Sequence, residues 1–151
     1  KGMNVMDGYY NNPEASNTVL SPDGWLHTGD LGVLDPDGYL YIKGRSKSLI
    51  LGPSGQNIYP EEIEDLLNAQ PYIAESLVIE REGKLVALVY PDAEAMKQNK
   101  ISREALLKII HETRKQINQQ IPAYSQIARL EIHDEEFEKT PKRSIKRFLY
   151  Q

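Results

Sequence analysis

Two stretches decide the fold of this 151-residue chain, SLVIE at residues 76–80 and KLVALVY at residues 84–90. Both are rich in β-branched and aliphatic residues, and only Arg81-Glu82-Gly83 separates them. Two apolar runs joined by a short segment that contains glycine are typical of a β-hairpin. The sequence therefore predicts an antiparallel strand pair near the centre of the chain.

Predicted helices lie on both sides of this hairpin in the sequence. One begins at Pro60, where the missing N–H of proline costs nothing, and has two glutamates in its first turn. The other begins after Ser102, a good N-cap, and its apolar residues keep helical spacing until Pro122. Strands at residues 49–51 and 127–132 complete the order β, α, β, β, α, β. This order predicts a small α+β domain of short sheets with two to three helices.

The first 44 residues differ from the rest because they are rich in Gly, Asn, Asp and Pro. The turn sequence Asp35-Pro36-Asp37-Gly38 lies between the apolar residues 31–34 and 39–42, which predicts a second β-hairpin. Polar residues 44–48 follow. We therefore place a boundary after Gly44, with residues 1–44 as one β-rich unit and residues 45–151 as the α+β domain.

Composition excludes several classes of function. The net charge is −4 and basic residues are spread along the chain until its last dozen positions, which argues against a nucleic-acid partner. There is no cysteine, so disulfides, thiolate zinc sites and a cysteine nucleophile are excluded. The histidines His27, His111 and His133 have no ligand spacing, and we assign no metal site to them. No apolar run reaches membrane-spanning length.

Three short motifs contain residue types suited to nucleotide binding, and each also has an ordinary structural explanation. Asp30 ends the segment GWLHTGD at residues 24–30; its carboxylate can accept two hydrogen bonds from ribose hydroxyls, or bond its own backbone as turn aspartates do. Arg45 follows a glycine, as some phosphate-binding arginines and many solvated ones do. Residues 52–55 are glycine-rich but match no phosphate-loop pattern, which favours a plain loop.

Taken in order, these motifs resemble those of the adenylate-forming enzymes, which include acyl-CoA synthetases, adenylation domains of nonribosomal peptide synthetases and luciferases. The resemblance covers nearly the whole chain. It is carried by NVMDGYYNNPEA at residues 4–15, GWLHTGD at 24–30, GYLYIKGRSK at 38–47, GQNIYPEEIE at 55–64, and Lys139-Thr140-Pro141 with the basic residues after it.

The resemblance implies a role for each motif. Such enzymes bind a carboxylate and Mg-ATP, form an acyl-adenylate with release of pyrophosphate, and then let a thiol attack the adenylate. Asp30 matches the aspartate that binds both ribose hydroxyls of ATP and AMP, and Arg45 matches the arginine near the ribose and phosphate. Lys47 matches the hinge about which the small C-terminal domain turns between the two half-reactions. The loop that contains Ser54 and Gly55 would then face the thiol channel.

The C-terminal motif departs from the family pattern. Its usual last lysine reaches the substrate carboxylate and the α-phosphate during adenylation, where a positive charge is needed. The matching position here holds Ser144, which carries no charge. Lys142 and Lys146 lie two residues to either side, and either could supply the charge; we favour Lys146. The alternative is that both belong to a solvated basic tail.

The resemblance also implies what this chain contributes to a longer enzyme. The glycine-rich phosphate loop and the acyl pocket would lie upstream of Lys1, in a large domain whose end is residues 1–44, so the chain alone should be inactive. We expect a cytoplasmic fatty-acid–CoA ligase, because Thr140-Pro141 and the basic run after it resemble the long-chain fatty-acyl branch. Its small-molecule substrates would be a fatty acid, ATP and CoA, with Mg²⁺ bound mainly by the large domain, and its membrane association at most peripheral.

Two alternatives remain for the function. The first is an adenylation domain that loads a carrier protein, which a carrier domain encoded after Gln151 would favour. The second is a degenerate, non-catalytic interaction module. Ser144 favours this second alternative, whereas the intact motifs around Asp30 and Arg45 favour an enzyme.

Overall fold

The computed structural model describes residues 1–151 and divides them into two compact units, Lys1–Lys47 and Ser48–Gln151. The division falls after Lys47 rather than after Gly44. The reason is that Arg45 and Ser46 still bond to the first unit: the Ser46 N–H donates to the carbonyl oxygen of Gly29 over 2.9 Å.

The first unit consists of one short helix and one β-hairpin. Helix α1 (Pro13–Val19) was not predicted; it begins at Asn12, whose side chain accepts a hydrogen bond from the Ala15 N–H. Strands β1 (Asp30–Leu34) and β2 (Leu40–Arg45) pair antiparallel, as the turn sequence predicted. The Asp35 carboxylate fixes the turn by accepting the N–H groups of Asp37 and Tyr39.

The β1–β2 hairpin has no core of its own. No residue of the first unit is buried, and apolar side chains of both strands are largely exposed, namely Val33, Leu34, Leu40, Tyr41 and Ile42. Several large apolar side chains exposed in one short hairpin are typical of a surface that another protein surface covers.

The second unit contains the predicted α+β domain. In chain order its elements are β3 (Ile50–Leu51), β4 (Asn57–Ile58), α2 (Pro60–Asn68), β5 (Ile73–Arg81), β6 (Lys84–Pro91), α3 (Ala93–Gln98), α4 (Arg103–Gln120) and β7 (Ile127–Ile132). Strands β3 and β4 form a small hairpin, and the other three strands form one sheet in the order β5-β6-β7. Three α-helices agree with the predicted two to three. No helix is long and apolar enough to cross a membrane.

Strand β6 pairs antiparallel with β5 and parallel with β7. A parallel neighbour needs a long crossover, and α3 and α4 provide it. Helices α2 and α4 cover one face of the sheet and form the larger core with it, through Ile63, Leu67, Leu106, Ile110 and Ile117. This packing confirms the prediction that helices lie against a sheet.

The C-terminal segment covers the opposite face of the sheet. The second core forms on this face from apolar residues of β5 and β6, namely Leu77, Ile79, Val86 and Leu88. The C-terminal segment contributes the buried side chain of Phe137, with Ile145 and Tyr150 packed against it. Strands that are apolar on both faces need a cover on each side. The apolar residues of this segment therefore complete the second core of the domain, while Lys142 stays exposed.

Candidate functional site

Asp30 and Arg45 face each other across the β1–β2 hairpin. They are partners in the strand register, and Arg45 Nε lies 3.0 Å from Asp30 Oδ1. Arg45 also donates through Nη1 to the carbonyl oxygen of Thr28 over 2.7 Å, while the Asp30 N–H donates to Thr28 Oγ1 over 3.2 Å. These contacts hold both side chains at the end of the hairpin where β1 begins and β2 ends.

This pair presents both charges to solvent. The Asp30 side chain is 35% exposed and that of Arg45 is 62% exposed. The ion pair uses Oδ1 of Asp30, so Oδ2 can accept hydrogen bonds from a ligand hydroxyl. A carboxylate beside a guanidinium is suited to a ligand that offers hydroxyls and a negative charge next to each other, as a nucleotide does.

Lys47 is the last residue of the first unit and lies in a short 3-10 turn, Ser46–Ser48. Its side chain is exposed. The polar segment that the sequence placed between domains is thus the segment where the two units meet along the chain. Nothing in these contacts assigns Lys47 a role in chemistry, and its hinge role stays a prediction.

Ser54 and Gly55 lie in the tight loop between β3 and β4. The Gly55 N–H donates to the carbonyl oxygen of Gly52, and Gln56 Oε1 accepts from the Ser54 N–H over 3.2 Å. Gly55 has φ of +80°, which favours glycine, although a Cβ there would meet no atom within 4 Å. The loop is therefore fixed by its backbone and leaves both residues exposed.

The basic end of the chain forms a compact hairpin, here called the tail hairpin, residues 138–146. Lys139 pairs with Ile145, the Thr140 N–H donates to the Ser144 carbonyl oxygen, and the Lys146 N–H donates to the Glu138 carbonyl oxygen. Arg143 closes the turn with φ of +62°. The structure thus places Lys142 and Ser144 in or beside one turn, with Lys146 at the end of the second arm.

The two candidate lysines occupy different parts of this hairpin. Lys142 is exposed within the turn. Lys146 follows Ser144 by two residues, at the end of the second arm. Lys146 Nζ lies 3.0 Å from Glu138 Oε2, in an ion pair whose glutamate is 66% exposed. The positive charge of Lys146 therefore lies near Ser144 in the chain, paired with the solvent-accessible carboxylate of Glu138.

Two cations of the tail form ion pairs, with acidic residues on α2 and β5, that were not predicted from the sequence. Arg147 Nη2 donates to Glu64 Oε2, and its side chain is only 19% exposed. Lys139 Nζ lies 2.5 Å from Glu75 Oε1 on strand β5. The signal in the sequence was the placement of Glu64 on the apolar side of helix α2, next to Ile63 and Leu67.

Burial raises the pKa of the Glu64 carboxyl. Desolvation raises the pKa of its carboxyl above the ordinary value of 4.5, although Arg147 and the Val78 N–H both favour the ionised form. The carboxyl of Glu64 therefore takes up a proton more readily than a solvated glutamate does.

The chain shows no arrangement of side chains suited to a metal ion. No group of three or more acidic, histidine or cysteine side chains could hold one. Two of the histidines have other contacts: His27 Nε2 lies 2.7 Å from Ser21 Oγ, and His133 stacks on Phe137.

The fold and these motifs define a class of protein. The chain belongs to the family of AMP-binding enzyme C-terminal domains, which matches residues 47–150. The family covers the second unit and begins at Lys47, the last residue of the first unit.

The relatives are CoA ligases. Over 93 residues the chain is 48% identical to the indoleacetate–CoA ligase of Aromatoleum aromaticum, covering 59% of this chain and 18% of that protein. Over 112 residues it is 40% identical to a 2-succinylbenzoate–CoA ligase of Bacillus cereus, covering 74% of this chain and 23% of the relative. The chain thus spans about a fifth of the length of the curated relatives it matches.

Solved structures agree with this assignment. The o-succinylbenzoate CoA synthetase of Bacillus subtilis in complex with AMP superposes with a TM-score of 0.71 at 28% identity, over 100% of this chain and 29% of that one. The same synthetase with ATP and a magnesium ion gives a TM-score of 0.71 at 29% identity, over 98% of this chain and 28% of that one. The ATP-bound MatB of Rhodopseudomonas palustris gives 0.65 at 29% identity, with 99% and 28% covered.

Proposed function

We propose that this chain is the C-terminal part of an ATP-dependent acid–CoA ligase that activates a carboxylate as acyl-AMP and transfers the acyl group to CoA. The observation that carries this proposal is the Asp30–Arg45 pair, because it presents a hydrogen-bonding carboxylate and a cation side by side in the motifs of an AMP-binding family. A degenerate interaction module would not need to keep both groups in this geometry.

Each half of the reaction uses different residues of the chain. Asp30 would accept the ribose hydroxyls while Arg45 lies near the phosphate, and the tail hairpin would bring Lys146 or Lys142 to the negative charge that develops between the carboxylate and the α-phosphate. After pyrophosphate leaves, the small domain would turn about Lys47. The loop with Ser54 and Gly55 would then line the path of the incoming thiol, which attacks the acyl carbon and releases AMP.

Part of the reaction belongs to residues outside this chain. Mg²⁺ bound with ATP would neutralise phosphate charge, and its ligands would come mainly from the preceding domain, because this chain offers no donor cluster for it. The same domain would cover the exposed apolar face of the β1–β2 hairpin. We therefore expect the 151-residue chain to be inactive by itself.

The acid substrate of the ligase has two candidates. The Thr140-Pro141 motif with its basic run resembles the fatty-acyl branch and leads us to propose a long-chain fatty acid. The relatives named above are instead named for indoleacetate and 2-succinylbenzoate, which are aromatic acids. An aromatic carboxylic acid is therefore the second candidate, and it would need no change in the residues described here.

The test is ATP–pyrophosphate exchange by the longer enzyme that carries this chain, measured with palmitate, indoleacetate and 2-succinylbenzoate separately. We expect exchange with one of these acids, and acyl-CoA formation when CoA is added. Exchange that leads to acylation of a phosphopantetheine carrier protein but not of CoA would favour a carrier-loading enzyme. Absence of exchange with every acid tested would contradict the proposal, as would sustained turnover by the 151-residue chain alone.

A further inference from the structure

Arg147 connects three elements of the second unit at the outer edge of the sheet. Its Nη1 donates to the Val78 carbonyl oxygen over 3.2 Å, and its Nη2 donates to Glu64 Oε2. Glu64 Oε1 in turn accepts the Val78 N–H over 2.6 Å. Strand β5 is an edge strand, so both backbone groups of Val78 would lack partners without these two side chains.

This arrangement also fixes the tail hairpin. Arg147 directly follows the second arm of the hairpin, and its own N–H donates to the Ile145 carbonyl oxygen. The first arm is anchored separately by Lys139, which pairs with Glu75 on the same strand β5. The turn that carries Lys142 and Ser144 is thus anchored by one ionic contact at each arm, in addition to the apolar packing of Phe137 and Ile145.

Stability alone does not account for Glu64. The residue is only 8% exposed, and Glu61 Oε1 lies 3.6 Å from the same Arg147 nitrogen, so two carboxylates share one cation. Glu61 Oε2 is buried without a hydrogen bond, which adds to the cost. A buried ion pair commonly stabilises a fold less than apolar residues of the same volume would, but it defines one arrangement of the groups around it.

We infer that Glu64 is a positioning residue for the adenylation half-reaction: through Arg147 it fixes the tail hairpin where its lysine can reach the reacting phosphate. The inference rests on the proposed function. Glu64 does not touch substrate; it acts only through Arg147 and the hairpin. Because the hairpin serves adenylation, the loss of Glu64 should leave the later thioester step nearly unchanged.

The decisive variant is Glu64→Gln in the longer enzyme, with Asp65→Asn as the matched control. The glutamine side chain keeps the size of the original and one acceptor for the Val78 N–H, but it cannot hold Arg147 with a charge. Asp65 is exposed on the same helix, so its variant removes an equal charge without touching Arg147. Misplacement of a reacting group by about 1 Å costs about 10²-fold, and we expect a loss of this order in the adenylation rate.

Two measurements separate positioning from a general structural role. Nucleotide affinity should stay unchanged in Glu64→Gln, since Asp30 and Arg45 bind the nucleotide, so kcat of adenylation falls while KM for ATP does not. In the 151-residue chain, amide hydrogen exchange at Thr140 and Arg143, both donors within the turn, should accelerate. Arg147→Lys, which keeps the charge but cannot span Glu64 and Val78, should fall between wild type and Glu64→Gln.

The adenylation assays distinguish a failure of the positioning role of Glu64 from a failure of the proposed ligase function. Unchanged adenylation in Glu64→Gln, or equal loss of adenylation and of thioester formation from supplied acyl-adenylate, overturns the positioning role while the ligase assignment stands. A wild-type enzyme without pyrophosphate exchange overturns the proposed function and the positioning role with it. A selective loss of adenylation that Asp65→Asn does not share supports both.

Discussion

Arg45 Nε lies 3.0 Å from Asp30 Oδ1, and the two residues are direct partners across the β1–β2 hairpin. Opposite charges in such a cross-strand position support each other by about 0.2–1 kcal/mol. The contact also affects what the carboxylate offers to a ligand, because the ion pair uses Oδ1 and Oδ2 can still accept hydrogen bonds. A nucleotide that binds here meets a carboxylate already oriented by its partner.

The first prediction concerns Asp30→Ala in the longer enzyme. ATP affinity should fall, since two hydrogen bonds to a charged group are lost and each is worth about 1.5–3 kcal/mol. Isothermal titration with ATP measures the effect. The control is Asp37→Asn, an acid in the turn of the same hairpin, which should bind ATP like the wild type. Equal affinity of the Asp30→Ala protein and the wild type would mean that Asp30 only stabilises its turn.

The second prediction tests Lys47 as a hinge. Lys47→Pro restricts φ to about −65° at the residue where the two units meet along the chain. The two half-reactions should therefore be affected very unequally, whereas Lys47→Ala should affect neither strongly. Pyrophosphate exchange measures the first half-reaction, and acyl-CoA formation from supplied acyl-adenylate measures the second. If Lys47→Pro retains both rates, Lys47 is not the hinge.

The third prediction concerns the charge near Ser144. Lys146→Ala should slow adenylation by about 10²–10³-fold, the usual effect of removing a preorganised charge or donor from such a site. Lys142→Ala should have the smaller effect, and thioester formation should be nearly unchanged in both. Ser144→Lys should rescue Lys146→Ala because it restores a positive charge two residues away in the same hairpin. Wild-type adenylation in the double alanine variant would remove any lysine of this turn from the mechanism.

The fourth prediction concerns Gly55. Gly55→Ala places a side chain at φ of +80° without any steric contact, so the cost should be only conformational, about 1–2 kcal/mol. Thermal unfolding of the 151-residue chain measures it. Gly83→Ala, at φ of +73° in another open turn, should cost a similar amount. In the longer enzyme only Gly55→Ala should slow thioester formation; equal effects of both variants would argue against a loop at the thiol channel.

The fifth prediction is the pH dependence of stability that Glu64 causes. Its raised pKa means that the folded state binds more protons than the unfolded state in a window that starts at pH 4.5 and extends upward. Stability contributed by this group therefore falls as pH rises through that window. As pH rises, the free energy of unfolding of the wild type should therefore decrease relative to that of Glu64→Gln. Urea titrations at several pH values measure the difference, and a difference that is constant or falls with pH contradicts the assignment.

The sequence was sufficient to predict elements whose signals are local. The β5–β6 hairpin follows from two apolar runs around Arg81-Glu82-Gly83, and helix α4 follows from Ser102 and its periodic apolar residues. Helix α1 was missed although Asn12 and Pro13 are good start signals, because none of its residues is buried and its apolar pattern is weak. Local signals without a hydrophobic face are easily overlooked.

Long-range relationships were beyond the sequence analysis. The parallel pairing of β7 with β6 depends on the crossover through α3 and α4, and no property of residues 127–132 specifies it. The contact of Arg147 with Glu64 joins residues far apart in the chain, and although Glu64 lies on the apolar side of its helix, nothing in the sequence names Arg147 as its partner. The second cover of the sheet was not predicted either: Leu77 and Ile79 pack with Phe137 and Tyr150, which lie far from them in the chain.

The tail that covers the second face of the sheet restricts how this domain can be re-engineered. Ile145, Arg147 and Tyr150 belong to the packing, so a truncation or a fusion that displaces them would uncover aliphatic strand residues and promote aggregation. Residues 140–144 form the turn, in which Thr140 is half-buried and residues 141–144 are exposed. Exchange of motifs between such enzymes should therefore be confined to these five positions, where a new reactive group can be introduced while the cover stays in place.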